Sequence, residues 1–457
     1  MGAVGVPHSF SEATLTNTKA GSPTRVRHEL LSVLTVMACL LYLDRYAVGI
    51  AAEKIREDLS MTQSQMSWFL SLFFWSYACC QVPAGWLSDR FGPRIMLSAY
   101  VLAWSLFTGL LGTATQAWQV LQLRLLCGAS QAGAYPVCTG LIRSWFPVAW
   151  RGTASSIVAV GGRSGAVLSH LLTAALMGWF LGDWRPVLIA YGLAGIVIAI
   201  AFAWICRDIP EIHPRCNSAE RELIEGGRFE SDPEAEVRQL SFPWIPVLTS
   251  VSLWGNCLAQ LFTNVGWLFV VTWLPRYLGQ VHQIPLTEQS VMTAIPTAAG
   301  MAGMFCGGRW TDQAAKRLGL KWGRRLPLMA TRFIAAAGYG FCVLLGVCCT
   351  PDPSIRWLPW LIVAGLGLAT FSCDLGVPAL WAYAQDVGGK YTASIMGWTN
   401  MFGNFGAAVA PLVYNAILGE TPALTEWNWL FAVCAFSFVL SGVAALALDA
   451  TKPLTIK

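Results

Sequence analysis

Charge is scarce in this chain. Asp, Glu, Lys and Arg make up only 12% of its 457 residues, against a hydrophobic share of 55% and a mean hydropathy of +0.53. An ordinary soluble domain carries about 25% charge, so a water-facing surface all round is excluded. Long polar stretches are also few. Beyond the first 28 residues or so, the one extended polar interval runs from Arg207 to Phe242. No CxxC pair is matched by a second such pair. The 14 cysteines, including Cys79-Cys80 and Cys348-Cys349, sit mostly inside apolar runs and read as small core residues, so neither a metal site nor a disulfide framework is expected. A nucleophile paired with a base and a phosphate-cradling glycine loop are lacking in any credible context, which argues against an enzyme and against a cofactor. The net charge of +5 comes from basic residues gathered in the loops of one side, which gives no support to a nucleic-acid partner. No cleavable signal peptide is expected, because no short apolar run with a small-residue cleavage site precedes the first long hydrophobic segment. Val6 stands where a myristoylation signal wants Ser or Thr.

What the chain does have is apolar runs. They lie near residues 29–52, 66–87, 94–114, 118–146, 151–179, 185–206, 247–278, 288–310, 326–349, 356–385, 392–418 and 427–449. Each is long enough to cross a hydrocarbon core of about 30 Å. The fold class that follows is an all-α membrane protein with twelve transmembrane helices lying in a lipid bilayer. The polar interval divides them into an N-terminal tail (1–28), a six-helix bundle (29–206), a linker (207–246), a second six-helix bundle (247–449) and a short tail (450–457). Within the linker, Asn217 or Ser218 followed by Glu220 and Glu222 suits the start of a short helix, where a side-chain acceptor and early carboxylates are favourable. Lys and Arg gather at the termini and in alternate loops, including the run Lys316, Arg317, Lys321, Arg324, Arg325. By the positive-inside rule both termini and the linker belong in the cytoplasm, and the membrane is a bacterial inner membrane or a plasma membrane. Arg45, Arg124 and Arg163 read as the basic residues that remain inside spans.

The most informative stretch is Arg124 to Pro136, which sets an arginine and a glutamine within a segment otherwise apolar enough for lipid. On a helix Arg124 and Gln131 share one face, with Gly128 between them. An arginine at the centre of a spanning helix costs about 2.5–3.5 kcal/mol on insertion scales, so it is expected to face a bundle interior or watery cavity and to have a partner. The two halves also echo each other. Gly85-Trp-Leu-Ser-Asp89-Arg90-Phe-Gly92-Pro-Arg94 follows the second run, and Gly308-Arg-Trp-Thr-Asp312 ends the eighth in the same way. Arg151-Gly-Thr-Ala-Ser opens the fifth run as Lys390-Tyr-Thr-Ala-Ser opens the eleventh. A repeat of six helices plus six is expected, with a site between the repeats.

The pattern Gly85-xxx-Asp89-Arg90-x-Gly92-x-Arg94 resembles the signature loop of the major facilitator superfamily, and the second copy in register strengthens the likeness. The resemblance implies two pseudo-symmetric six-helix bundles. It also implies gating by Gly85, Asp89, Arg90, Arg94 and Asp312, which latch helix ends in an outward-facing state. Within that superfamily the chain is similar to the anion:cation symporter family of bacterial sugar-acid permeases and animal vesicular glutamate and sialic-acid carriers. The likeness rests on Leu43-Asp44-Arg45, Tyr77, Gln81-Val-Pro-x-Gly85, Arg124-xxx-Gly128-xx-Gln131-xxxx-Pro136, Trp145-Phe146-Pro147-xxx-Arg151-Gly152, Pro210-xx-His213-Pro214, Trp273-x-Pro275-x-Tyr277-Leu278 and Asn400-xx-Gly403-Asn404. It implies organic-anion binding by Arg45 and Arg124, with Tyr77 and Asn400 at the polar end of the solute. Gln131 belongs to the same site, and Trp381, with Gln260 or Asn264, lines the C-terminal wall. A functional monomer is implied as well.

Coupling is where the sequence departs from that family. The proton-driven members commonly carry a glutamate where Gln131 stands, and glutamine cannot titrate. Asp44 remains as a proton carrier or as a fixed partner for an arginine. Asp374 is a further candidate for the proton-coupling role, and Arg163 and Asp374 are additional charges that either pair across the bundle or snorkel from helix ends. His170 is a weaker proton carrier. The expectation is a carrier of small organic anions, sugar acids such as hexonates or hexuronates foremost, working by alternating access with protons as the coupling ion. The alternatives are an anion exchanger or facilitator without proton coupling, and a non-transporting solute sensor. An organophosphate antiporter would want an arginine deep in the seventh helix, and Leu261 to Leu274 contains none.

Overall fold

The structure is a computed structural model that describes residues 22–225, 244–349, 357–419 and 422–454. All twelve apolar runs are helical. In the first half the crossings are α1 (Val26–Ile50), α2 (Gln63–Phe91), α3 (Pro93–Leu111), α4 (Ala117–Gln131 and Ala134–Trp145), α5 (Arg151–Trp179) and α6 (Arg185–Ile205). In the second half they are α7 (Val251–His282), α8 and α9 (together Leu286–Cys348), α10 (Leu358–Val387), α11 (Thr392–Leu418) and α12 (Leu424–Ala445). Nine stretches qualify as membrane crossings by length and composition alone among the described residues. One of them, Val291–Cys348, holds parts of two crossings, and the more polar α2 and α4 complete the set.

The breaks between elements have local causes. Gly92, at φ 91°, turns the chain between α2 and α3, with Pro93 at the first helical position. Gly319, at φ 74°, does the same between α8 and α9, although the hydrogen-bond ladder runs almost unbroken there. In α7 a π-helical turn, Phe269–Trp273, precedes Pro275, whose missing N–H disturbs the regular ladder.

Packing inside each bundle follows the rule for helices in lipid, where small residues let backbones approach because no hydrophobic gain separates helix from solvent. Gly165 of α5 lies directly on the Cys39 carbonyl of α1, and Gly406 of α11 lies in the same way on the Leu261 carbonyl of α7. The same contact therefore recurs in both halves. Outer faces remain apolar and uncovered: Leu193, Val197, Ile200 and Trp204 of α6 are all more than half exposed, and they fall on one side of the helix. Such a face is stable in lipid and not in water.

The linker begins as a packed element. A short helix runs Ser218–Glu225, and the Asn217 side chain accepts a hydrogen bond from the Glu220 N–H at 2.9 Å, as its acceptor-plus-carboxylate sequence suggests. Glu220 is itself fully buried and reaches the start of α1. There it accepts from the Val26 N–H (3.2 Å), the Arg27 N–H (3.2 Å) and the Arg27 guanidinium (3.0 Å). An anion at a helix N-terminus satisfies donors that the helix cannot. His213 fixes the preceding turn, with Nε2–H donating to Ile205 O and Nδ1 accepting from the Arg215 N–H, both at 3.2 Å. Burial holds its pKa below that of a free imidazole, consistent with this neutral tautomer. Glu220→Ala leaves the Arg27 guanidinium and two amides without their acceptor. The expected cost is about 3 kcal/mol, measured as a fall in the tryptophan-fluorescence melting temperature of the purified protein.

Candidate functional site

Between the bundles lies a cavity of about 850 Å³. Its walls come from α1, α2, α4, α5, α7, α8, α9, α10 and α11, and it extends toward the membrane face opposite the linker, past Gly49, Ile50 and Thr272. Its floor is an aromatic contact between the bundles, with the Tyr135 and Trp381 rings 5.0 Å apart.

Two arginines define the N-terminal wall. The Arg45 guanidinium lies over the rings of Tyr77 (4.6 Å), Phe73 (4.9 Å) and Tyr42 (5.2 Å) and donates a long hydrogen bond, 3.4 Å, to Gln131 Oε1. The Arg124 guanidinium lies 4.3 Å from the centroid of the same Phe73 ring, with Phe69 at 5.8 Å. Aromatic faces attract a desolvated cation by about 2 kcal/mol or more each, which partly offsets the cost of holding two like charges together. Neither arginine pairs with a carboxylate among the described residues, and the Nε of each is buried without a hydrogen-bond acceptor. Two preorganised guanidiniums with no counter-charge among the described residues have the chemistry to accept an anion.

A second group of charges joins the two bundles across the cavity. Arg163 of α5 reaches across to Asp374 of α10, with Nη2 donating to both carboxylate oxygens at 3.2 Å, and its guanidinium lies 4.9 Å from the Trp267 ring centroid on α7. Arg332 of α9 also lines the cavity. It is fully buried and donates from Nη1 to the Cys373 carbonyl at 2.7 Å.

On the linker side the cavity is closed by two matching contacts. Asp89, at the end of α2, accepts from the N–H groups of Ala393 (3.2 Å) and Ser394 (2.8 Å) and from the Ser394 hydroxyl at the start of α11. Asp312, at the end of α8, accepts from the N–H groups of Gly152 (2.9 Å) and Thr153 (2.8 Å) and from the Thr153 hydroxyl (2.6 Å) at the start of α5. Each carboxylate thus caps a helix of the other bundle. Gly85 makes room for the first contact against Ala393, and Gly308 makes room for the second against Gly152. Between them Asp386 joins Arg151 (3.0 Å) of one bundle to Arg324 (2.8 Å) of the other.

The Major Facilitator Superfamily model matches residues 34–411, most of the chain. The chain belongs to the Major Facilitator Superfamily. It is therefore a multi-pass membrane protein with the two-bundle fold of that superfamily. It is 29% identical over 419 residues to the probable galactarate/D-glucarate transporter GudP of Bacillus subtilis (strain 168), covering 88% of each chain. It is 29% identical over 430 residues to the probable sulfoacetate transporter SauU of Cupriavidus necator, covering 94% of this chain and 95% of that protein. Among solved structures, the proton:xylose symporter XylE superposes with a TM-score of 0.70 at 11% identity, over 91% of this chain and 94% of that one, a likeness of fold.

Within this superfamily member the sequence-predicted residues divide into groups. Arg45, Tyr77, Arg124, Trp381, Asn400, Gln260 and Asn264 all line the one cavity. Gln131 lies behind them, buried, with only its hydrogen bond to Arg45. Asp44 faces away from the cavity. Its carboxylate is turned toward the Trp104 indole on α3, and neither oxygen closes a hydrogen bond of ordinary geometry. It pairs with no arginine among the described residues. Arg163 and Asp374 find each other, rather than snorkelling to helix ends. Arg90 is exposed over Trp86 and Phe91, and Arg94 stays within the first bundle, donating to the Ala203 carbonyl, so neither joins the contacts that Asp89 and Asp312 make. The His170 side chain lies outside the described residues. Sequence reasoning missed Arg332, although it falls inside the run 326–349, because a single basic residue near a strongly basic loop reads as part of that loop. It also missed Phe73, for which no sequence signal distinguishes a ring between two cations from a core phenylalanine.

Phe73 is fully buried, so its removal both opens a void and strips two guanidiniums of their shared aromatic face. Phe73→Ala is expected to destabilise the protein by about 3–5 kcal/mol, read as a lowered melting temperature. Phe73→Tyr, which keeps the ring, should lose much less.

Proposed function

We propose that this protein is a secondary carrier of small organic anions, with sugar acids as the leading substrates, working by alternating access. The observation that carries the proposal is the Arg45 and Arg124 pair, which faces a cavity between the bundles with no protein carboxylate to neutralise it. A carboxylate presented there gains charge-assisted, two-pronged hydrogen bonds. Relatives named for galactarate, glucarate and sulfoacetate, each an organic anion, support the same class. Tyr77, Asn400 and Trp381 are assigned to the polar and stacking contacts around the solute, and Gln131, behind them, to holding Arg45 in place.

With the linker and both termini in the cytoplasm, a placement the Lys and Arg distribution supports, the cavity opens outward and the Asp89 and Asp312 contacts are the closed cytoplasmic gate. The carrier acts as a monomer in a bacterial inner membrane or plasma membrane. Alternation breaks these two caps, together with the Asp386 bridge, as the bundles rock. Asp312→Ala should therefore raise amide hydrogen exchange at residues 152–156 and also at 393–394, because rigid bundles part as units. A rise confined to 152–156 would mean local fraying and no gate.

Protons are the coupling ion in this proposal, and Asp44 carries them. It is a buried carboxylate with neither a cation nor a donor in hydrogen-bonding geometry among the described residues, an arrangement that suits a group exchanging a proton better than a fixed ion-pair partner. Asp374 is the second acidic residue available. Purified protein in proteoliposomes tests both levels. Uptake of labelled galactarate, galactonate and sulfoacetate should rise at least several-fold with an inward proton gradient, and Arg124→Gln should lower it at least ten-fold. Asp44→Asn should abolish the gradient's effect while leaving exchange of internal for external anion. Equal uptake with and without the gradient in the wild type would assign the protein as an exchanger or facilitator.

A further inference from the structure

The cavity holds more positive charge than one carboxylate can use. Arg45, Arg124 and Arg163 of the first bundle and Arg332 of the second all line it, against a single lining carboxylate among the described residues, Asp374. Asp374 is engaged by Arg163. Arg332 is fully buried, yet only its Nη1 has an acceptor. Its Nε and Nη2 have none. A guanidinium held away from both water and lipid with two nitrogens unsatisfied is costly unless something else supplies the acceptor. Nothing in the closed gate does so, because the gate carboxylates are occupied by helix N-termini and by Arg151 and Arg324.

We infer that Arg332 and Arg163 form a second anionic subsite and that the substrate is a dianion, with one charged group on Arg45 and Arg124 and the other on this distal pair. This inference rests on the reading of the protein as an organic-anion carrier. Asp374 is the internal competitor of the distal group: it occupies Arg163 with both oxygens, as a substrate carboxylate or sulfonate would. Tyr42 neighbours both groups, with the Arg45 guanidinium over its ring and Arg163 within electrostatic reach of its hydroxyl. One solute charged at each end can therefore engage both groups within the single cavity. A monoanion leaves the distal guanidiniums as they are in the empty protein, and gains nothing from them.

The test compares two six-carbon acids that differ at one terminus: galactarate, with a carboxylate at both ends, and galactonate, with one. Calorimetric titration of the full-length purified protein gives the ratio of the two affinities, and that ratio is the readout. In the wild type galactarate should bind at least ten-fold more tightly. Arg332→Gln should bring the ratio close to one, and Arg332→Lys, which keeps the charge, should hold most of it. Asp374→Asn should move the ratio the other way, several-fold further in favour of galactarate, because it removes the internal competitor for Arg163. This opposite-signed variant decides the matter even if Arg332→Gln does not fold. A ratio unchanged in Arg332→Gln, or unchanged or lowered in Asp374→Asn, overturns the distal subsite. A wild type that binds both acids equally overturns the subsite alone, and one that binds neither these acids nor sulfoacetate overturns the carrier reading along with it.

Discussion

Two guanidiniums held inside a membrane protein without a counter-ion are the constraint around which the rest is arranged. Arg45 and Arg124 cannot be left to lipid, and no carboxylate among the described residues neutralises them. Instead they are held by ring faces, chiefly Phe73 between them. That solution stabilises the charge without consuming its hydrogen-bonding edges. An arginine paired with an aspartate, as Arg163 is with Asp374, must give up that partner before it takes another anion. Aromatic faces ask no such exchange of Arg45 and Arg124.

The same logic, inverted, runs through the side near the linker. There the carboxylates of Asp89 and Asp312 are fully used, each accepting from two backbone N–H groups and a hydroxyl at the start of a helix in the other bundle. Such contacts are strong in sum but are made of separate hydrogen bonds to a helix end, so they can be exchanged for water when the bundles part. The close approach they need is supplied by Gly85 and Gly308. Charge left open at the centre and charge fully satisfied at one face together describe a structure that is closed on that face and receptive in the middle.

Asp44 belongs to neither group. It neighbours Arg45 in sequence, yet on a helix adjacent residues point about 100° apart, so the two side chains serve different surfaces of α1. Arg45 meets α2 and α4 across the cavity wall, and Asp44 turns to α3. A carboxylate turned to one neighbour and a guanidinium turned to the cavity thus share one rigid helix. Any conformational change that moves α1 acts on both.

The fold was legible in the sequence because its cause is local. Runs of about twenty apolar residues in lipid must be helices, since nothing else satisfies their backbone, and the long polar interval at Arg207–Phe242 divides them evenly. The two sequence echoes were legible too, Gly85 to Asp89 with Gly308 to Asp312, and Arg151 to Ser155 with Lys390 to Ser394. That each Asp caps the helix opened in the other half was not, because the sequence orders residues along the chain and the caps join elements roughly 160 or 300 positions apart. The residues of the cavity divide in the same way. Polar residues such as Arg45, Arg124, Tyr77, Gln131 and Asn400 stand out against an apolar background in any reading of the chain. Tertiary structure decided that Phe73 lies between two cations, that Arg163 meets Asp374, that Asp44 faces away and that Arg332 points inward. Hydropathy determines which segments enter the membrane, but which face of each helix meets which neighbour is set by packing among all twelve.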